Sequence, residues 1–142
     1  MIKLINQGLI EHSKISWFSP IVIVLKKNGK WRLCSNYCKL NTMTVPDSYS
    51  LLNIDEIFYS QGCAEIFSTL DLLSGYHQFR MDEDRIDLTC STTKFGNFVY
   101  KVILFGFTGA PATFQKEMNR ILFELLGKCV FVFIDDILIF SK

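Results

Sequence analysis

Two strongly apolar runs, Val130 to Ile134 and Ile137 to Phe140, are separated only by Asp135-Asp136. Each run has strand length and is built from β-branched and aromatic residues, and two residues is a hairpin's connection length. The C-terminal part of the chain is thereby committed to two adjacent strands. Two neighbouring ionised carboxylates repel each other, and desolvation would raise that cost. A solvated turn accounts for acidic residues at a tip, yet Asp-Asp is a poor two-residue turn because neither residue is Gly or Asn. A divalent cation would remove the repulsion. Asp71 is the second oddity. It lies in the strand-like run Glu65 to Leu72, apolar from Ile66, at a place where a lone Asp ordinarily caps a following turn. If that strand pairs beside the one carrying Asp135, three carboxylates converge at one sheet edge. Such a set can hold two Mg²⁺ ions, activating a hydroxyl and stabilising a leaving pyrophosphate in phosphoryl transfer.

The remaining periodicities give an α+β layout. Leu4-Ile5 and Leu9-Ile10 are spaced like one face of a short helix. Ser19-Pro20 opens the β-branched strand Ile21 to Val24, and Lys27-Asn28-Gly29-Lys30 is a hairpin turn returning through Trp31 to Ser35. These two strands make a projecting flap with a basic tip. Asn41 to Ser50, with Pro46-Asp47, reads as a connection, and Asn53 or Asp55 can cap a short helix through Tyr59, ended by Gln61-Gly62. Asp82 to Asp87 is a short acidic turn or helix. Thr89 to Thr93 and Phe98 to Ile103 are strands joined by Phe95-Gly96-Asn97. Pro111 suits a helix start. Phe114, Met118, Ile121, Leu122 and Leu125 then form an apolar helical stripe that Gly127 stops.

Composition narrows the function classes. In 142 residues, 49% are hydrophobic and 20% charged. That balance excludes disorder by composition. No apolar run approaches a membrane span, and the start of the chain lacks a secretory layout. The net charge of +1 argues against a globally basic nucleic-acid binder. That sum hides a split: Lys3, Lys14, Lys26, Lys27, Lys30, Arg32 and Lys39 face Glu11 alone within residues 1–41, and the rest of the chain is acidic. Five cysteines without a C-x-x-C pair, and two distant histidines, argue against a zinc site or disulfide framework and for reduced thiols in an intracellular protein.

Three blocks now make the reading specific. Phe67-Ser68-Thr69-Leu70-Asp71-Leu72-Leu73-Ser74-Gly75-Tyr76-His77-Gln78 resembles the first catalytic block of reverse transcriptases from gypsy-type LTR retrotransposons. Leu104-Phe105-Gly106-Phe107-Thr108-Gly109-Ala110-Pro111-Ala112-Thr113-Phe114-Gln115 resembles their next block. Phe133-Ile134-Asp135-Asp136-Ile137-Leu138-Ile139-Phe140-Ser141-Lys142 resembles their aromatic-x-Asp-Asp block. Upstream, Trp17 to Pro20, Lys26 to Arg32 and Tyr37 to Asn41 are similar to the family's fingers. The blocks occur in family order across nearly the whole chain.

The resemblance implies a right-hand polymerase: fingers plus a partial palm, with an antiparallel sheet packed on helices. It implies fingers over about residues 1–60 and partly within 74–105, with palm elsewhere. Asp71, Asp135 and Asp136 match the catalytic, metal-binding triad, with Asp71 and Asp135 as principal Mg²⁺ ligands; Mn²⁺ is the substitute ion. Arg32 and either Lys26 or Lys27 match the fingers cations that contact nucleotide phosphates. Tyr76 matches the aromatic wall that excludes a ribose 2′-OH. Leu72, Phe105 and Gly106 match positions lining the nucleotide pocket. An arginine fork suits triphosphate oxygens. Without the family match, Arg32 would read as a surface charge and Tyr76 and Phe105 as core packing. The implied activity is RNA-directed DNA polymerisation on a primed RNA or DNA template with deoxynucleoside triphosphates, inside a Pol polyprotein, away from membranes and in a cytoplasmic particle.

The chain departs from the family pattern at Asn36 and Cys38, where Asp and Arg are usual, at Lys94 and Leu104 for Pro, at Phe133 for Tyr, and at Val99 for Glu. The chain also ends at Lys142 directly after an apolar strand, so thumb, connection region and ribonuclease H are expected outside it, with weak duplex binding as the consequence. These features support an alternative, a co-opted or inactive element remnant binding nucleic acid through its basic fingers. A palm-type cyclase shares the carboxylate geometry, but the flap block and the block around Phe105 speak against it.

Overall fold

The computed structural model describes residues 2–25, 27, 29–45, 49, 62 and 64–142. The expected helix through Tyr59, the Pro46-Asp47 connection, Lys26, Asn28 and Cys63 lie outside the described residues. The chain forms two compact units, one of residues 1–45 and 76–110, the other of residues 46–75 and 111–142.

The first unit is a five-stranded sheet. It comprises β1 (Ile10–Ser13), β2 (Ser19–Leu25), β3 (Trp31–Ser35), β5 (Ser91–Thr93) and β6 (Gly96–Tyr100), in the order β1-β6-β5-β2-β3. All neighbours are antiparallel except β2 and β5, which run parallel. The flap forms as its sequence dictates, with β2 and β3 pairing from Ile21↔Ser35 to Leu25↔Trp31. Gly29 takes a positive φ of +75°, as a tight hairpin turn requires. Helices are short here: α1 (Ile2–Asn6), α2 (Cys38–Asn41) and α3 (Glu83–Ile86), the last followed by a 3₁₀ turn over Asp87–Thr89. Ile10, Tyr37, Leu40, Phe98, Tyr100 and Leu104 form the buried cluster, joined by Leu4, Ile5, Leu88 and Phe107. Leu104 thus takes the place of the usual Pro by becoming core.

The second unit is the sheet β4-β8-β7 with helix α4 (Ala110–Ile121) running into it; β4 is Ile66–Asp71, β7 Val130–Phe133 and β8 Asp136–Ser141. Both pairings are antiparallel, and the Phe131 and Phe140 rings stack at 5.3 Å. Pro111 sits in the first turn of α4, where its missing N–H costs nothing.

Several boundaries differ from the sequence reading. In the β5–β6 hairpin, Ser91 rather than Thr89 opens β5, Gly96 and Asn97 are paired within β6 rather than joining the strands, and β6 ends at Tyr100 rather than Ile103. Leu9-Ile10 does not extend the first helix: Gly8 turns the chain at φ +68°, and Ile10 begins β1 opposite Tyr100. Asn41, read as the start of the connection, instead closes the short helix Cys38–Asn41. The α4 stripe stops early. Phe114 and Met118 are buried, whereas Ile121 is 59% exposed, Leu125 44% exposed, and Gly127 stands beyond the helix end. The hairpin tip is shifted by one residue, because Phe133 pairs with Asp136; the turn is therefore Ile134-Asp135 and Asp136 opens β8.

Candidate active site

The register of the second unit decides the carboxylate geometry. β4 and β8 pair from Ile66↔Ser141 to Asp71↔Asp136, so these two aspartates are direct cross-strand partners. Partners opposite each other in an antiparallel ladder share a face with Cβ atoms ~5 Å apart, and like charges there are destabilising. Asp135 lies one residue before, tied by the Leu72 N–H donating to its carbonyl at 3.0 Å. All three carboxylates expected at the site, and Leu72 beside them, are therefore at one end of one sheet. Asp71 and Asp136 are exposed, and neither makes a side-chain hydrogen bond or ion pair among the described residues. Asp135 is half-buried, with its Oδ1 shielded from solvent.

The turn is strained. Ile134 has φ +53°, in the left-handed region, while Asp135 has negative φ. This is the pattern of a type II′ turn, whose first central position ordinarily holds Gly. For a β-branched residue this conformation costs about 1–3 kcal/mol and persists only where neighbours over-determine it. The neighbour is Gln115 of α4, which is fully buried. Its Oε1 accepts the Ile134 N–H at 2.8 Å, and its Nε2 donates to the Val132 carbonyl at 2.9 Å and to Asn119 Oδ1 at 2.9 Å. Gly75 adds a steric condition. A Cβ on it would stand 2.8 Å from Asp135 Oδ1 and 2.9 Å from Phe114 Cζ, and the Phe114 ring is itself fully buried.

The first unit gathers the other expected residues. The Arg32 guanidinium lies 5.0 Å above the Phe105 ring. Tyr76 meets the same ring edge-on at 4.6 Å, and His77 approaches it at 6.4 Å. Tyr76 is only 4% exposed and Phe105 37%, so an anchored ring supports one that faces solvent. Gly106 has φ +101°, a conformation that only glycine adopts without strain. Lys27 is exposed in the β2–β3 turn; the choice between it and Lys26 is not decided by the described residues.

Asn41 secures this loop from both sides. Its Nδ2 donates to the Gly106 carbonyl at 2.7 Å, and its Oδ1 accepts the Thr108 N–H at 3.1 Å. Behind it, Tyr37 stacks on Phe107 at 4.3 Å and donates its hydroxyl to the Thr89 carbonyl at 2.9 Å. Burial pushes the Tyr37 phenol up to about 12. Burial also lowers the imidazole of His77, which favours its neutral form.

A divalent cation fits the donor set in kind: hard carboxylates, two of them exposed, uncommitted and mutually repelling. As placed, the side chains do not close a cage, and among the described residues no three His, Cys, Asp or Glu groups stand together as metal ligands. Asp71 and Asp136 would have to turn towards an ion. Residue type alone assigns no role to Asn41, Gln115 or Gly75. Their contribution runs through backbone groups and an excluded Cβ, which leave no signature in the sequence.

The second unit thus carries paired carboxylates at the end of a three-stranded sheet, and the first an arginine over contacting aromatic rings. The family profile described as reverse transcriptase (RNA-dependent DNA polymerase) matches residues 24–142, and the chain belongs to that family. It is 44% identical over 144 residues to the retrovirus-related Pol polyprotein from transposon 297 of Drosophila melanogaster, and 41% over 145 residues to that from transposon opus of the same organism. These alignments cover 98% and 99% of this chain but 14% of each relative, so the chain spans about one seventh of their length. The fold superposes on the foamy viral protease-reverse transcriptase in complex with double-stranded DNA with a TM-score of 0.87 and 26% identity, over 98% of this chain and 24% of that one. No described helix is long and apolar enough to cross a membrane.

Proposed function

We propose that this chain carries the RNA-directed DNA polymerase centre of a retrotransposon Pol polyprotein and adds deoxynucleotides to a primer 3′ end. The observation that carries this is the cross-strand pair Asp71↔Asp136 with Asp135 beside it, held at a strained turn. Asp71, Asp135 and Asp136 would hold two Mg²⁺ ions, or Mn²⁺, which when bound lower the barrier to displacement at the α-phosphorus and stabilise the leaving pyrophosphate. The protein's own part is positioning and charge. Asp135 keeps one oxygen in a fixed, solvent-shielded place set by Gly75 and Phe114. Arg32, with Lys26 or Lys27, offers donors to triphosphate oxygens. Phe105 and Gly106 in the first unit, and Leu72 in the second, are each assigned to nucleotide contact, and Tyr76 supplies a rigid ring against a 2′-hydroxyl.

On this reading the sheet β4-β8-β7 and residues 111–142 belong to the palm. The β2–β3 hairpin belongs to the fingers, and the seven basic residues of the first third would lie along template and nucleotide phosphates. The foamy viral neighbour's complex with double-stranded DNA supports a primed duplex as partner. The remaining polyprotein segments and an intracellular, cytoplasmic particle follow from the same kinship.

Primer extension on poly-rA with an oligo-dT primer, in Mg²⁺ or Mn²⁺, tests the proposal. Extension abolished by Asp135→Asn is the expected result. Soluble, folded protein that binds the duplex in a salt-dependent way but does not extend it would replace this reading with that of a nucleic-acid-binding remnant.

A further inference from the structure

We propose that Gln115 is the positioning residue of the carboxylate turn: its carboxamide holds Ile134 in the left-handed conformation and so fixes where Asp135 stands. The strand order β4-β8-β7 leaves one edge of β7 unpaired within its sheet. On that edge the chain presents the Val132 carbonyl and the Ile134 N–H, two residues apart. A neighbouring parallel strand would satisfy such a pair with one N–H and one C=O from a single residue. Gln115 does this with its side chain, donating from Nε2 to Val132 and accepting at Oε1 from Ile134, at 2.9 and 2.8 Å.

The amide orientation is not in question, because a carbonyl can only accept and an N–H can only donate. The second Nε2 hydrogen goes to Asn119 Oδ1, and Asn119 Nδ2 donates to the Tyr49 hydroxyl at 2.8 Å. Gln115 is thus anchored on α4 and within a polar chain, with no exposure to solvent. It holds the turn from a buried position on the helix, with both ends of its carboxamide hydrogen-bonded.

The strain explains why holding is needed. Ile134 sits at φ +53°. A β-branched residue in that region relaxes towards the extended one unless something retains it. The group retained is the Ile134 N–H, and the next residue is Asp135. Relaxation at Ile134 would swing the Asp135 carboxylate from the place bounded by Gly75 and Phe114. The functional half of this inference rests on the polymerase reading above; the structural half does not.

The experiment uses Gln115→Met, which keeps length and apolar bulk but neither hydrogen bond, and adds Ile134→Gly to it, since glycine adopts positive φ without help. Amide hydrogen exchange by NMR and Mn²⁺ affinity are read on the 142-residue chain. In Gln115→Met the Ile134 amide should exchange at least tenfold faster while the Leu138 and Ile139 amides stay within twofold. Mn²⁺ affinity should fall about tenfold, and Ile134→Gly should restore most of it in the double variant.

A role confined to filling the interior predicts the opposite: faster exchange across the whole sheet, and no rescue. Either result overturns the proposal, as does unchanged exchange at Ile134. If Gln115→Met does not fold, Gln115→Glu takes its place; its carboxylate still accepts from Ile134 and should keep that amide protected, and loss of protection there counts against the clamp. Wild-type protein that binds no Mn²⁺ would defeat the polymerase reading, while the exchange pattern still decides the clamp.

Discussion

At the scale of single residues, the site is made by atoms that sequence reading can see and by others that it cannot. Asp71, Asp135 and Asp136 stand out because carboxylates are rare in apolar strands, and Arg32, Tyr76 and Phe105 stand out by family resemblance. The structure brings the first three to one sheet end and the second three into contact. In the sequence Gly75 stands only as one member of the Phe67–Gln78 block. Its importance is the absence of a Cβ against Asp135 Oδ1. Gly75→Ala should therefore lower primer extension by about 10²-fold, as misplacement of a reacting group does. Thermal melts should register an overpacking loss of about 1–3 kcal/mol. Full extension would show that Asp135 is not held there. Tyr76→Val should let ribonucleotides compete with deoxynucleotides in single-nucleotide incorporation. Unchanged sugar selectivity would return Tyr76 to a packing role.

At the scale of elements, strands are legible where β-branched runs carry the signal, as in the flap, where β3 spans the expected Trp31–Ser35. The misplaced boundaries have a common source: the end of an element is set by partners distant in sequence. Polarity puts the hairpin tip on Asp135-Asp136, but the ladder to β4 and β7 fixes Asp136 as paired and forces Ile134 into the turn. Spacing assigns Ile10 to a helical face, yet pairing with Tyr100 claims it for β1.

The loop between β6 and α4 is likewise shaped by a remote side chain, Asn41. Replacing Asn41 by Ala removes two solvent-exposed hydrogen bonds to the loop backbone and should cost about 1 kcal/mol. If the loop bears nucleotide, it should raise the KM for deoxynucleotides more than it lowers kcat. A pure kcat loss would detach Asn41 from nucleotide binding. The Tyr37 hydroxyl behind that loop has a pH signature. Its folded value is raised to about 12 from the ordinary 10.0. A raised folded value means that its stabilisation is complete below about pH 10 and is lost as pH rises towards about 12. Denaturant melts of wild type should show that alkaline decline, which Tyr37→Phe should reduce. An unaltered decline would place its origin in another group.

At the scale of the whole molecule, the net charge of +1 divides between a basic first third and an acidic remainder. The basic first third includes the flap, where nucleic-acid phosphates are proposed to lie, and the acidic remainder includes the carboxylates, whose repulsion a bound cation would partly offset. Of the positions departing from the family pattern, Leu104 and Val99 are buried, and Cys38 is exposed on α2. The central claim is that the sheet end bearing Asp71, Asp135 and Asp136 is a divalent-cation site serving polymerisation. Mn²⁺ titration followed by electron paramagnetic resonance, on wild type and on Asp71→Asn and Asp135→Asn, tests it most directly. Saturable binding that both variants weaken at least tenfold is the predicted result. Binding that is absent in folded wild type, or indifferent to both substitutions, would contradict the account.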